Sequence, residues 1–93
     1  MSNQGTSNGG AGVSARVSTA GAALTIRKSA STSSAALGSV ADGAYITITC
    51  QRRGQSVTGT YGTTTLWDKV NGGYVSDAYV ATGSDGQVAP TCP

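Results

Sequence analysis

Few side chains in this 93-residue chain could carry out acid–base or nucleophilic chemistry. The sequence contains no histidine and no glutamate, which excludes Ser-His and Cys-His catalytic pairs as well as histidine metal ligands. Two of the four aspartates, Asp42 and Asp85, precede glycine, where aspartate is an ordinary turn residue. The other two, Asp68 and Asp77, could act together as general acid and base. However, they flank a predicted turn and could instead pair with Lys69 or Arg27. The sequence therefore predicts a non-catalytic protein without a metal or another cofactor.

Aromatic residues are the clearest candidates for binding a ligand. The chain has one tryptophan, four tyrosines and no phenylalanine, and the tryptophan and two tyrosines lie between Leu66 and Val80. Their rings offer an apolar face and a polar tip to a sugar or an extended peptide, while an arginine and an aspartate could bind carboxylate and amine groups. Because phenylalanine is absent, the same rings could instead be needed to fill the core, and both interpretations stay open. The candidate ligand-binding residues are Tyr61, Trp67, Tyr74, Tyr79, Arg27 and Asp77.

The composition predicts a small all-β domain. The chain is rich in glycine, serine and threonine, and only 38% of it is hydrophobic, a composition that suits short strands and turns better than helices. A domain of this size has little apolar surface to bury and usually needs a cross-link. Cys50 and Cys92 are expected to form a disulfide that fixes the C-terminus, with two buried free thiols as the alternative. A disulfide implies a secreted protein; the sequence shows no signal peptide, which we expect to have been removed.

Hydrophobic alternation divides the chain into a tail and one domain. Residues 1–12 are polar and glycine-rich, and are expected to form a flexible tail or linker. From residue 13 onward, apolar and polar residues alternate in short runs typical of half-buried strands. Residues 71–73 predict a tight turn between two strands, a hairpin turn is expected around Gly54, and residues 31–45 are expected to form a loop. Residues 13–93 are therefore predicted to form one domain of five to seven short strands.

Charge and hydropathy argue against two classes of partner. The net charge is only +2, and the two basic pairs, Arg27-Lys28 and Arg52-Arg53, are too sparse for a nucleic-acid-binding surface. No apolar run approaches the length that spans a membrane. We therefore expect neither nucleic acid nor insertion into a membrane.

Several short motifs occur in an order that is typical of one family. In chain order they are Leu24, Ile26 and Arg27, then Leu37-Gly38 and Gly43, then Trp67, Lys69 and Val70, and finally Gly73-Tyr74-Val75. This series resembles the bacterial Src-homology-3-like (SH3-like) domain, which is often attached to secreted cell-wall enzymes. The version in secreted proteins of streptomycetes and related actinobacteria is the most similar. The resemblance spans about residues 22–92 and implies a small SH3-like β-barrel.

The resemblance implies recognition rather than catalysis. Domains of this family hold proteins to peptidoglycan or to its peptide stems, so the cell wall is the expected partner. The alternative is an adaptor or structural subunit that binds a secreted partner protein. In that case the alternating residues Val13, Ala15 and Val17 could add a strand to the open sheet edge of the partner.

Overall fold

The computed structural model describes residues 12–83 and 86–93, which form two antiparallel sheets and a single turn of 3-10 helix. Residues 1–11, most of the predicted tail, lie outside the described residues, and so does Asp85. The strands are β1 (Val13–Val17), β2 (Leu24–Arg27), β3 (Ala36–Val40), β4 (Tyr45–Ile48), β5 (Cys50–Gly59), β6 (Gly62–Val70), β7 (Gly73–Ser76) and β8 (Val80–Ala81), and the 3-10 helix is Asp77–Tyr79. The fold is all-β, as the composition predicts.

The strands divide into a three-stranded sheet, in the order β4-β1-β8, and a five-stranded sheet, in the order β3-β2-β7-β6-β5. The chain passes between the sheets at the β1–β2, β3–β4, β4–β5 and β7–β8 connections. At the β4–β5 junction the Thr49 amide donates to the Lys69 carbonyl (2.9 Å). Within the described residues no strand ladder joins the two sheets into a closed barrel. One strand more than predicted is present because residues 31–45, expected to form a loop, contain β3.

The two predicted hairpin turns have different outcomes. The β6–β7 turn at Asn71-Gly72 is confirmed: Val70 pairs with Gly73, and Gly72 has the positive φ (80°) that such a tight turn requires. The turn predicted around Gly54 is wrong, because β5 continues through this position and turns only at residues 60–61. Gly54 lies instead in a β-bulge against Ala30, where an added Cβ would lie 2.5 Å from the Ala30 Cβ. The glycine permits a close backbone contact rather than a turn.

Strand β1 lies in the middle of its sheet. It pairs with β4 from Val13 to Arg16, and with β8 at Arg16 and Val17. Ala15 and Val17 are fully buried and Val13 is partly buried against the same hydrophobic core. The structure therefore contradicts the predicted addition of Val13, Ala15 and Val17 to a partner's sheet, because their apolar side chains are already packed in the core of this domain.

The predicted disulfide is confirmed and fastens the C-terminal segment to β5. Cys50 and Cys92 are bonded, with their Cα atoms 4.9 Å apart. Beside the disulfide, the Gln51 amide donates to the Pro90 carbonyl (2.8 Å) and the Cys92 amide donates to the Gln51 carbonyl (2.9 Å). The last residues of the chain thus run along β5 with both covalent and backbone attachment.

Candidate functional site

The outer face of the five-stranded sheet brings together residues from distant parts of the sequence. Directly paired residues in an antiparallel sheet project to the same side. Arg27 pairs with Tyr74, and Tyr74 pairs with Lys69, so these three form one row across β2, β7 and β6. Trp67 and Ser76 pair in the neighbouring row. Three of the predicted ligand-binding residues, Arg27, Trp67 and Tyr74, therefore share this face.

The loop between β2 and β3 covers Trp67. This crossing loop, residues 28–35, reaches β5, where the Gln55 side-chain oxygen accepts hydrogen bonds from the Thr32 amide (2.9 Å) and the Ser31 hydroxyl (3.1 Å). The Gln55 amide donates to the Ala30 carbonyl (3.0 Å). The Trp67 indole Nε1–H donates to the Gln55 carbonyl (2.9 Å), and the tryptophan is only 2% exposed. Trp67 is thus mainly a packing residue, and its ring anchors the loop.

A groove of about 290 Å³ opens beside the crossing loop. Its lining combines Trp67, Thr25 and Ser76 of the outer face with Thr32 of the crossing loop and Tyr79 of the 3-10 helix. Arg27 also lines the groove. Its guanidinium is held in place by a hydrogen bond from Nη1 to the Ser34 carbonyl (3.0 Å). The groove therefore offers aromatic surface, small hydroxyl groups and one cation.

The other predicted binding residues lie elsewhere. Tyr74 is on the outer face but outside the lining of the groove, with the Lys69 Nζ 5.2 Å and the Arg52 Cζ 5.8 Å from its ring centroid. Tyr61 is 53% exposed at the β5–β6 turn. Together with Asp77 it lines a separate hollow of about 590 Å³. The six predicted residues are thus distributed over three places, and only Arg27, Trp67 and Tyr79 share a groove.

Asp68 and Asp77 meet where Asp68 is enclosed by the domain and Asp77 borders the hollow beside Tyr61. Asp68 is 0% exposed, Asp77 is 7% exposed, and neither Asp68 Oδ2 nor Asp77 Oδ1 has a partner among the other described residues. Burial, followed by the hydrogen bond with Asp77, raises the pKa of the Asp68 carboxyl to about 8. Burial also raises the pKa of Asp77, while Asp68 and the positive charge of Arg53 act in the opposite direction. Both pKa values are raised, and one proton shared between the two carboxyl groups would also satisfy the oxygens that have no other partner.

Gln51 links this acid pair to the C-terminal segment. Its Nε2 donates to Asp68 Oδ1 (2.6 Å), and its Oε1 accepts from the Val88 and Ala89 amides (2.7 and 2.9 Å). The expected pairing of Asp68 with a lysine or arginine is therefore wrong. The carboxyl group is enclosed, where a substrate has no access, and it helps to hold the end of the chain.

Gln51 was not among the predicted site residues, because the sequence pattern gives it no inward position. Regular alternation from Ile46 through Ile48 directs Cys50 inward and Gln51 outward. The chain changes sheets at Thr49, between β4 and β5, and this break reverses the alternation, so that Gln51 is fully buried. No local motif marks the break.

Among the described residues, no group of three or more His, Cys, Asp or Glu side chains is arranged to hold a metal ion. In the same part of the chain, no helix has the length and apolar character needed to cross a membrane.

Comparison with known proteins identifies relatives in Bacillus subtilis. No protein-family model matches the sequence. The chain is 40% identical to YraJ of Bacillus subtilis (strain 168) over 81 residues, which cover 77% of this chain and 69% of YraJ. It belongs to the YraJ family. A second relative, YraI of the same strain, is 37% identical over 81 residues, covering 77% of this chain and 68% of YraI. Both relatives are described as uncharacterized proteins, so membership of the YraJ family identifies homologues but no activity.

Proposed function

We propose that this member of the YraJ family is a non-catalytic, extracellular SH3-like module that binds peptidoglycan or its peptide stems in the cell wall. The observation that carries the proposal is the groove beside Trp67, an open cleft with a volume of about 290 Å³. Binding sites for small ligands and peptides are typically clefts of a few hundred Å³, mostly apolar, with a few fixed polar groups. The groove has this character.

The lining of the groove suits a peptide that carries carboxylates. Peptide stems present small apolar side chains, amides and free carboxylates. The half-buried Tyr79 ring provides apolar surface, while the Thr25 and Thr32 hydroxyls can exchange hydrogen bonds with amides. Arg27 uses Nη1 on the Ser34 carbonyl, which leaves further guanidinium N–H groups for a ligand carboxylate.

The disulfide supports an extracellular location. Cys50 and Cys92 are cross-linked, and no free cysteine is present among the described residues. Disulfides form and persist in oxidising compartments, and small secreted domains use them to supplement a limited core. A secreted protein of this kind has direct access to peptidoglycan.

Co-sedimentation with purified peptidoglycan, freed of covalently attached anionic polymers, tests the proposal. We expect saturable binding by the wild type and roughly tenfold weaker binding by Arg27→Gln, because a charge-assisted hydrogen bond contributes about 1.5–3 kcal/mol. Arg16→Gln is the matched control, since Arg16 is exposed on β1, outside the groove lining, and the change in charge is the same. A wild type that stays in the supernatant, or equal weakening by both substitutions, would contradict the proposal.

An adaptor that binds a secreted partner protein is the second candidate, supported by the free edge of β3. This strand ends the five-stranded sheet, and its residue Leu37 is 54% exposed. An open strand edge with an apolar side chain can accept a strand from another protein. In this case Leu37→Glu abolishes capture of a secreted protein that the wild type retains, whereas Arg27→Gln leaves capture unchanged.

A further inference from the structure

Two cations converge on Tyr74 without being neutralised. The Lys69 Nζ lies 5.2 Å and the Arg52 Cζ 5.8 Å from the centroid of the tyrosine ring, both within the range of a cation–π interaction. Within residues 12–83 and 86–93, neither cation forms an ion pair or a side-chain hydrogen bond. The ring holds two positive charges close together while leaving their hydrogen-bond donors unused.

The acidic side chains of the described residues lie elsewhere. Asp42 accepts hydrogen bonds from the Thr19 and Gly21 amides (2.9 and 2.8 Å) near the β3–β4 turn. Asp68 is buried on the inner side of the five-stranded sheet, and Asp77 lies in the 3-10 helix, 7% exposed. A surface on which cations gather without acidic side chains beside them, as in this part of the described structure, has a positive potential that attracts anions.

The strand register places a third cation, Arg27, near this surface, so that the surface can contact more than one anionic group. Arg27 and Lys69 pair with Tyr74 from its two sides, and they lie on strands separated by β7, about 10 Å apart. Arg52 lies one row away, opposite Trp67 on the edge strand β5. Cations spaced in this way suit a chain with repeated anionic groups better than a single small ion.

The position of the cations also decides which role Tyr74 can have. A ring that binds a sugar or a nucleobase by stacking must present a free face. The Tyr74 ring is half-buried, and the Lys69 and Arg52 side chains lie over it. The two cations cover the face of the ring that a sugar would stack on. Tyr74 is therefore better placed to position the two cations than to bind a sugar, as was predicted for it.

We propose that Arg52, Lys69 and Tyr74 form a cationic face that binds a linear polyanion through its phosphate or carboxylate groups. Guanidinium and ammonium groups bind both kinds of anion, the guanidinium in a bidentate manner. Tyr74, Lys69 and Arg52 are not part of the groove lining, so this face acts independently of the peptidoglycan site. Arg27 contributes to both regions and is left out of the test for that reason.

Titration of the full chain with fluorescently labelled polyphosphate tests this proposal. We expect binding that weakens steeply with salt, because the protein releases counterions from the polymer. Arg52→Gln and Lys69→Gln should each lower the affinity roughly fivefold at low salt and reduce the salt slope by about 1. Tyr74→Leu should also weaken binding, whereas Tyr74→Phe, which keeps the ring, should not. Arg16→Gln serves as the control for a change in net charge alone.

Two further probes identify the anion and exclude stacking. If poly-L-glutamate binds as tightly as polyphosphate, carboxylate groups are sufficient for binding. If poly-L-glutamate binds more weakly, phosphate is the preferred group. Both results support the cationic face. Equal loss of affinity in Arg16→Gln, Arg52→Gln and Lys69→Gln would overturn it, because binding would then follow net charge alone. Tighter binding of single-stranded DNA than of polyphosphate, lost in Tyr74→Leu, would overturn it in favour of base stacking. Failure of peptidoglycan binding has no bearing on these measurements.

Discussion

The shared proton of Asp68 and Asp77 predicts that the protein loses stability as the pH rises through neutrality. The pKa of Asp68 is 3.8 in an unperturbed chain and about 8 in the folded protein. The folded state therefore retains a proton that the unfolded chain releases, and the free energy of unfolding falls between pH 4 and pH 8. Below this interval both states are protonated, and above it both are ionised, so the effect is confined to it.

The magnitude follows from linkage. One group with this difference in pKa contributes a slope of about 1.4 kcal/mol per pH unit, or about 4 kcal/mol between pH 4 and pH 7. The pKa of Asp77 is also raised by burial and acts in the same direction. Asp42 acts in the opposite direction: the Thr19 and Gly21 amides lower its pKa, so its contribution is lost only in acid, below pH 4.

Asp68→Asn isolates the effect because it replaces the protonated carboxyl with a neutral group of the same shape. Its side-chain oxygen can still accept from Gln51, and its amide can donate to Asp77 in place of the shared proton. We expect the variant to match the wild type near pH 4 and to be more stable by about 4 kcal/mol at pH 7. Asp42→Asn, an exposed control, should keep the wild-type slope above pH 5.

Urea unfolding at a series of pH values measures this difference. Trp67 is the only tryptophan and is buried, so its fluorescence reports unfolding directly. The disulfide must stay intact in all samples. Parallel stability profiles for the wild type and Asp68→Asn from pH 4 to pH 8 would refute the shared proton.

Two further predictions concern the attachments of β5. Replacement of both Cys50 and Cys92 by alanine should lower the free energy of unfolding by about 4 kcal/mol. This is the value that the chain-entropy model gives for a cross-link between residues 42 positions apart. A loss of less than about 1 kcal/mol, measured by urea unfolding, would contradict this prediction. Gly54→Ala places a Cβ against Ala30 and should cost about 1–3 kcal/mol by displacing the crossing loop from β5. Amide exchange checks this second result: the Gln55 amide, bonded to the Ala30 carbonyl, should lose protection, while amides of β1 keep theirs.

Local sequence patterns predict much of this fold. The composition identifies an all-β domain, the Asn71-Gly72 pair identifies a hairpin turn, and the two cysteines identify the disulfide. These features depend on backbone preferences of individual residues or on the number of cysteines, and they need no knowledge of tertiary contacts.

The features that the sequence did not reveal depend on contacts between distant segments. The sequence predicts a turn at Gly54, but this glycine permits the approach of Ala30, which is far away in the sequence. Gln51 and Asp68 are polar residues that alternation assigns to no special role, yet no other polar side chain among the described residues is as deeply buried. Contacts between distant segments make this burial possible: Gln51 Nε2 donates to Asp68 Oδ1, and Gln51 Oε1 accepts from the Val88 and Ala89 amides of the C-terminal segment.

The proposed groove is likewise a tertiary feature. Arg27, Trp67 and Tyr79 were recognised as candidates by residue type, but the grouping of these three apart from Tyr61 and Tyr74 requires the strand register and the crossing loop. The register also brings Arg52 and Lys69 to Tyr74. The residues of each of these two groups are far apart in the sequence, so the sequence alone does not show that they come together.

A nuclear magnetic resonance titration of the isotope-labelled protein with soluble peptidoglycan fragments tests the central claim most directly. The groove proposal predicts saturable shifts of the Trp67 indole Nε1–H and of the Thr25, Thr32 and Ser76 amides. The amides of Tyr74 and Arg52 should stay unchanged. Shifts confined to the Tyr74 region or to the free edge of β3, or no saturable shift at all, would contradict binding of peptidoglycan in the groove.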